Sequence, residues 1–153
     1  MSARLHDIIS DQIVLMNKNK KVNFDDLHFL ETALDIVLSC QRTLKNTYIF
    51  GYYMQNTSYS SDEKSSKIGK VKTLFEYQQK LLEDNVQKLL ELLEDNSINT
   101  LIDCDNSKDF NKEFANFKGK IINLYKATEK FQLNLEEEIE HKMVVYIDYT
   151  QLK

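Results

Sequence analysis

The chain holds no proline and only three glycines among its 153 residues. Folds built from many short strands need both at their turns, so a turn-dense all-β architecture is excluded and helices are favoured. Cysteine is almost as scarce. Cys40 and Cys104 stand far apart with no paired spacing, which rules out a zinc site and a disulfide framework and suits a reducing compartment. No run of eighteen apolar residues exists to span a membrane, and the N-terminus lacks the apolar stretch of a signal peptide. The expected location is therefore cytoplasmic or nuclear. No glycine-rich phosphate loop is present, and no cofactor is expected. A net charge of −4 is too small for strong electrostatic steering and gives no clustered basic face, so neither nucleic acid nor membrane is an expected partner. Lys18, Lys20 and Lys21 read as a solvated turn.

What is present is an ordinary globular balance, 42% apolar and 29% charged, in a chain long enough for one domain with a real core. The least polar long stretch is Leu27 to Met54. Leu27, Leu30, Leu34, Val37, Leu44 and Tyr48 make one helical stripe, and Phe29, Ala33, Ile36, Cys40, Thr43, Thr47 and Phe50 make a second. A helix apolar on most of its circumference belongs inside a bundle, so this one is predicted to be central. The rest of the chain supplies one-faced helices. Leu5, Ile9, Ile13 and Met16 mark the first, which begins so near residue 1 that it reads as the trimmed start of something longer. Asn23 is the predicted cap of the central helix, with Asp25 and Asp26 in the first turn, where acidic groups favour the helix dipole. Gln55 to Ser61 reads as a loop, and Ser60 with Glu63 as a capping box. Ile68, Val71, Phe75, Leu82, Val86, Leu89 and Leu93 form the core stripe of the third helix, with Asn96 as its C-cap. Glu76–Lys80 and Lys80–Asp84 are expected ion pairs along it. Residues 98–107 read as a connection with Leu101 and Ile102 tucked in. Phe110, Phe114, Phe117, Ile121, Leu124, Thr128, Phe131 and Leu135 then repeat at alternating steps of four and three, a heptad-like seam. The predicted fold is an all-α bundle of about four helices, 4–20, 24–54, 62–95 and 108–150, in a single domain.

Few residues offer chemistry. Glu138 and His141 form Glu-x-x-His, half of a di-iron bundle motif, but no second copy exists on another helix. The pair Asp25 and His28 lies at a helix start, away from any mid-bundle partner. The run Glu136 to Glu138 with Glu140 reads as a wet face. Gly69 and Gly119 sit inside helical patterns, as close helix contacts or tolerated breaks. No catalytic constellation can be assembled.

One stretch carries a family resemblance. Ala33 to Met54 resembles the signature helix of the Ariadne domain, the C-terminal helical region of Ariadne-type RING-between-RING (RBR) E3 ubiquitin ligases. Cys40, Arg42, Thr43, Leu44, Thr47, Tyr48, Phe50, Tyr52 and Tyr53 follow its pattern, with Arg42 displaced by one position and Gly51 where the family usually has alanine. A second block, Leu74 to Glu94, is similar to the family's next conserved helix, and the likeness covers roughly residues 5–140.

The resemblance implies a non-catalytic regulatory domain. In the family, zinc-binding and thioester-forming cysteines lie in the RING1, in-between-RING and RING2 modules, which Cys40 and Cys104 cannot constitute. The Ariadne domain shields catalytic RING2 in cis, and neddylated cullin-RING assemblies release that autoinhibition. Carried over by position, Phe75 and Glu76 mark the RING2-facing part of the third helix. The family's second acidic contact reads Gln87 here, with Glu83 or Asp84 one turn earlier. A third, aromatic contact falls at or before Met1. The alternative is a self-contained helical scaffold that dimerises through the Phe110–Leu135 seam and has no ubiquitin role.

Overall fold

The computed structural model describes the backbone of residues 2–55, 62–94, 97–103 and 106–151, and the side chains of residues 3–52, 72–94, 99–103 and 106–141. Among them the elements run α1 (Ser2–Lys20), α2 (Phe24–Gln55), α3 (Asp62–Glu94), a short α4 (Ser97–Ile102) and α5 (Ser107–Gln151). No strand occurs among the described residues, so the all-α bundle is found as expected. The predicted Ser60 capping box, the Asn96 cap, Ile68, Val71, Gly69 and Cys104 lie outside the described residues or side chains.

The first turn is tighter than the sequence suggests. α1 continues through Lys20, and the break is confined to Lys21–Asn23. Lys21 takes φ 54°, the left-handed conformation common just past a helix end. Asn17 Nδ2 donates to Val22 O at 2.9 Å, which fixes the turn. Asn23 caps α2 as predicted: its Oδ1 accepts from Asp25 N at 3.4 Å and its carbonyl from Asp26 N at 3.0 Å. So short a connection folds α1 back along α2.

α2 packs against α1, α3 and α5, as a helix apolar on most of its circumference must, and α3 and α5 also pack against each other. α3 runs antiparallel to it, with Phe50 edge-on to Phe75 (centroids 5.3 Å apart) and Gln79 Nε2 donating to Thr47 Oγ1 at 2.8 Å. α5 runs parallel to α2. Phe29 meets Phe114 and Phe117 near the start of both helices, and Ser39 and Thr43 meet Gln132 and Glu136 further along. The α5 seam therefore faces the interior, where Phe110, Phe117, Ile121, Thr128 and Leu135 are buried. Dimerisation through that seam is corrected: its apolar surface is already spent inside the bundle.

Both α2 stripes are buried, with one exception. Tyr48 is 52% exposed. α1 has 19 residues and α2 has 32, about 28 Å against about 48 Å at 1.5 Å per residue. Folded back from Asn23, α1 ends near the middle of α2 and leaves Tyr48 uncovered. The connection before α5 holds the unforeseen α4, too short for a periodic signal. Leu101 is buried and Ile102 half-buried there, as expected. Asn106 caps α5, with its Oδ1 accepting from Lys108 N at 3.0 Å.

Gly119 has open space around its missing methyl, so it is tolerance and not a close helix contact. Gly119→Ala should raise stability by about 0.5–1 kcal/mol, since alanine restricts the unfolded chain and suits a helix interior. A urea melt showing no gain would mean that the site has a conformational need the backbone does not reveal.

Candidate interaction surface

Three of the residues singled out by sequence share one face of α3. Glu83 lies seven residues after Glu76, and Gln87 four further on, spacings of about two turns and one turn. Glu76 and Gln87 are exposed and Glu83 is half-buried. Phe75 does not share that face: it is buried in the core against Phe50, and it fixes the helix from behind. A methyl added at Gly51 would stand 3.7 Å from Phe75 Cε1, so the family's usual alanine would fit without displacement.

The charge pattern on this face differs from the expected one. Lys80 Nζ pairs with Asp84 Oδ1 at 3.1 Å and not with Glu76. That pair is exposed and contributes little to stability, but it leaves the Glu76 carboxylate without the predicted internal cation. Gln87 Nε2 donates to Glu91 Oε1 at 3.2 Å, so its amide is held along the helix. Because Phe50 meets Phe75, the exposed side chains of Ile49 and Tyr52 on α2 lie level with Leu74 and Tyr77 of α3, which are also exposed. Sequence reasoning assigned none of these four to a surface. None of the four belongs to the core stripes of α2 or α3, so their exposure agrees with the periodicity.

The remaining candidates resolve as structure. His28 Nδ1 lies 3.1 Å from Glu31 Oε2, and not with Asp25. Among the described residues no group of His, Cys, Asp or Glu could hold a metal, and Glu138 and His141 form no such group. Glu136, read as part of a wet face, accepts a hydrogen bond from Thr43 Oγ1 at 2.9 Å. The Cys40 thiol is pushed up to about 12 from 9.0, first by burial and then by the negative potential of Glu136 and Glu129. No described helix is long and apolar enough to cross a membrane.

The molecule is thus an all-α bundle whose third helix presents a carboxylate-bearing face beside exposed aromatic side chains. It belongs to the Ariadne domain family, whose model matches residues 1–152. It is similar to the probable E3 ubiquitin-protein ligase ARI1 of Arabidopsis thaliana, 33% identical over 98 residues, covering 61% of this chain and 16% of that protein. The E3 ubiquitin-protein ligase ariadne-1 of Drosophila melanogaster is 30% identical over 106 residues, 69% of this chain and 16% of that protein. The E3 ubiquitin-protein ligase ARIH2 of Mus musculus is 30% identical over 86 residues, 56% of this chain and 14% of that protein. The chain thus spans about a sixth of the length of the relatives it matches. No solved structure matches it.

Proposed function

We propose that this chain is the non-catalytic regulatory domain of an RBR-type E3 ubiquitin ligase, and that it shields the catalytic RING2 module in cis. Contact with a neddylated cullin-RING assembly relieves that shielding, and the site of action is the cytoplasm or nucleus. The observation that carries the reading is the α3 face: Glu76 is exposed there, and Lys80 turns away from it to Asp84. A carboxylate in that state is available to a donor on a partner. Glu83, half-buried on the same face, supplies the second carboxylate where position 87 carries an amide. Membership of the Ariadne family, and the ligase names of the relatives, support the setting.

The test is ubiquitin discharge from a RING-between-RING module of the parent ligase, with this chain added in trans. The chain is expected to slow discharge, and its Glu76→Ala variant to slow it markedly less. Losing one charge-assisted hydrogen bond of about 1.5–3 kcal/mol predicts a roughly ten- to hundredfold weaker inhibition constant. No slowing at saturating concentration would overturn the shielding role. Equal slowing by both proteins would remove Glu76 from the contact.

A further inference from the structure

Side-chain hydrogen bonds join α2 to α5 and, one turn further along, α2 to α3. Gln132 Nε2 of α5 donates to Ser39 Oγ (2.8 Å) and Thr43 Oγ1 (3.0 Å) of α2, and Thr43 donates to Glu136 Oε1 at 2.9 Å. One turn on, Gln79 of α3 donates to the fully buried Thr47, which in turn donates to Leu44 O at 2.6 Å. Thr43 and Thr47 in this layer are two of the three buried polar side chains among the described residues, the third being Thr128 of α5.

Among the described side chains, burial differs on the two sides of the layer. On one side α1 and α4 add to the three long helices, and Leu27, Leu30, Ala33, Val37, Leu89 and Leu93 are at most 1% exposed. On the other side α1 no longer reaches. Within 45–52 of α2 only Thr47 and Phe50 are buried, and within 72–80 of α3 only Phe75. Tyr48, Ile49, Tyr52, Leu74 and Tyr77 are all exposed there. Apolar burial is what makes opening costly, and local opening follows the regions that have least of it.

We propose that the domain consists of two cooperative units divided by this polar layer, and that the unit carrying Glu76 opens without the other. The α2 residues 45–52, the α3 residues 73–80 and the α5 residues 136–141 separate from one another while 30–37, 82–93 and 117–124 stay packed. The shielding face therefore straddles the boundary, with Glu76 on the softer half and Glu83 and Gln87 on the firmer one. The division follows from packing alone and does not depend on the ligase reading.

Native-state amide hydrogen exchange on this chain at rising urea tests it. Amides of 45–52, 73–80 and 136–141 should exchange at least about tenfold faster than those of 30–37, 82–93 and 117–124, with a smaller dependence on urea because less surface is exposed. A single opening, with one rate class and one urea slope for both sets, overturns the proposal. The double variant Thr47→Val with Gln79→Leu removes both partners of one layer bond together. It should slow exchange of the first set toward the second. If the first set is unmoved, the layer is not the boundary and that part of the proposal falls. A ubiquitin-discharge result of either sign leaves this readout untouched.

Discussion

Phe29→Ala is expected to lower unfolding stability by about 3–5 kcal/mol, a large share of what a domain of this size possesses. Phe29 is the junction between the starts of α2 and α5. Its ring meets Phe114 and Phe117 edge-on, with centroids 6.0 and 6.2 Å away, and Lys118 Nζ stands 5.6 Å from its centroid. Phe110 stacks on Phe114 in turn at 5.7 Å, and Lys20 Nζ at the end of α1 lies 5.4 Å from the Phe110 ring. Truncation opens a void that two long parallel helices cannot easily close, and it removes two oriented aromatic contacts of roughly 0.5–1.5 kcal/mol each. Phe24, five residues earlier and 56% exposed, is the matched control. Phe24→Ala should stay within about 0.5 kcal/mol. Urea melts followed by circular dichroism separate the two, and comparable midpoint shifts would show that the cluster is not where the stability resides.

The second large effect is a loss of stability in alkali that is traceable to one thiol. Cys40 is fully buried and its ionisation is pushed up from 9.0 to about 12. The folded chain therefore holds that proton more tightly than the unfolded chain does. The resulting stability is complete below pH 9 and falls as pH rises from 9 toward 12, by roughly 1.4 kcal/mol per pH unit. About 2 kcal/mol should be gone by pH 10.5 and roughly 4 kcal/mol by pH 12. Lysines and tyrosines also titrate in this range, so the informative quantity is the difference from Cys40→Ala. That variant should be the less stable protein at pH 7.5 because of its small cavity, and the gap should narrow and then reverse as alkali is added. Parallel curves for the two proteins up to pH 10.5 would show that the thiol ionises without hindrance. The same burial predicts that Cys40 resists alkylation until the chain unfolds.

The helical architecture was legible because the apolar periods of α2, α3 and α5 are long, and long periods average out local exceptions. Asn23 as a cap and the two α2 stripes through Phe50 followed from the same reasoning. Tyr48 did not, because periodicity reports which face a residue occupies and not whether a neighbouring helix extends far enough to cover it. The ion pairs show a different limit. Lys80 has carboxylates four residues away on both sides, and rotamer geometry decides between them. At the candidate surface, the shared stripe of Glu76, Glu83 and Gln87 was readable from spacing, whereas the inward turn of Phe75 was visible in its own core stripe and took precedence. The polar layer had no sequence signal, because its members stand 32 to 93 positions apart.

That separation has a consequence for how the chain is made. Because α2 and α5 lie parallel, Ser39 and Gln132 are neighbours across 93 positions. At about 5–20 residues per second, a ribosome needs roughly 5 to 20 s to travel from one to the other. During that interval α2 has emerged and only α1 and α3 can cover it. The side of α2 bearing Phe29, Ser39 and Thr43 must wait in water, apolar and adhesive, for a helix that is still unwritten. A nascent chain of this design should be most vulnerable to misassociation once Glu94 has cleared the exit tunnel and before Phe117 has.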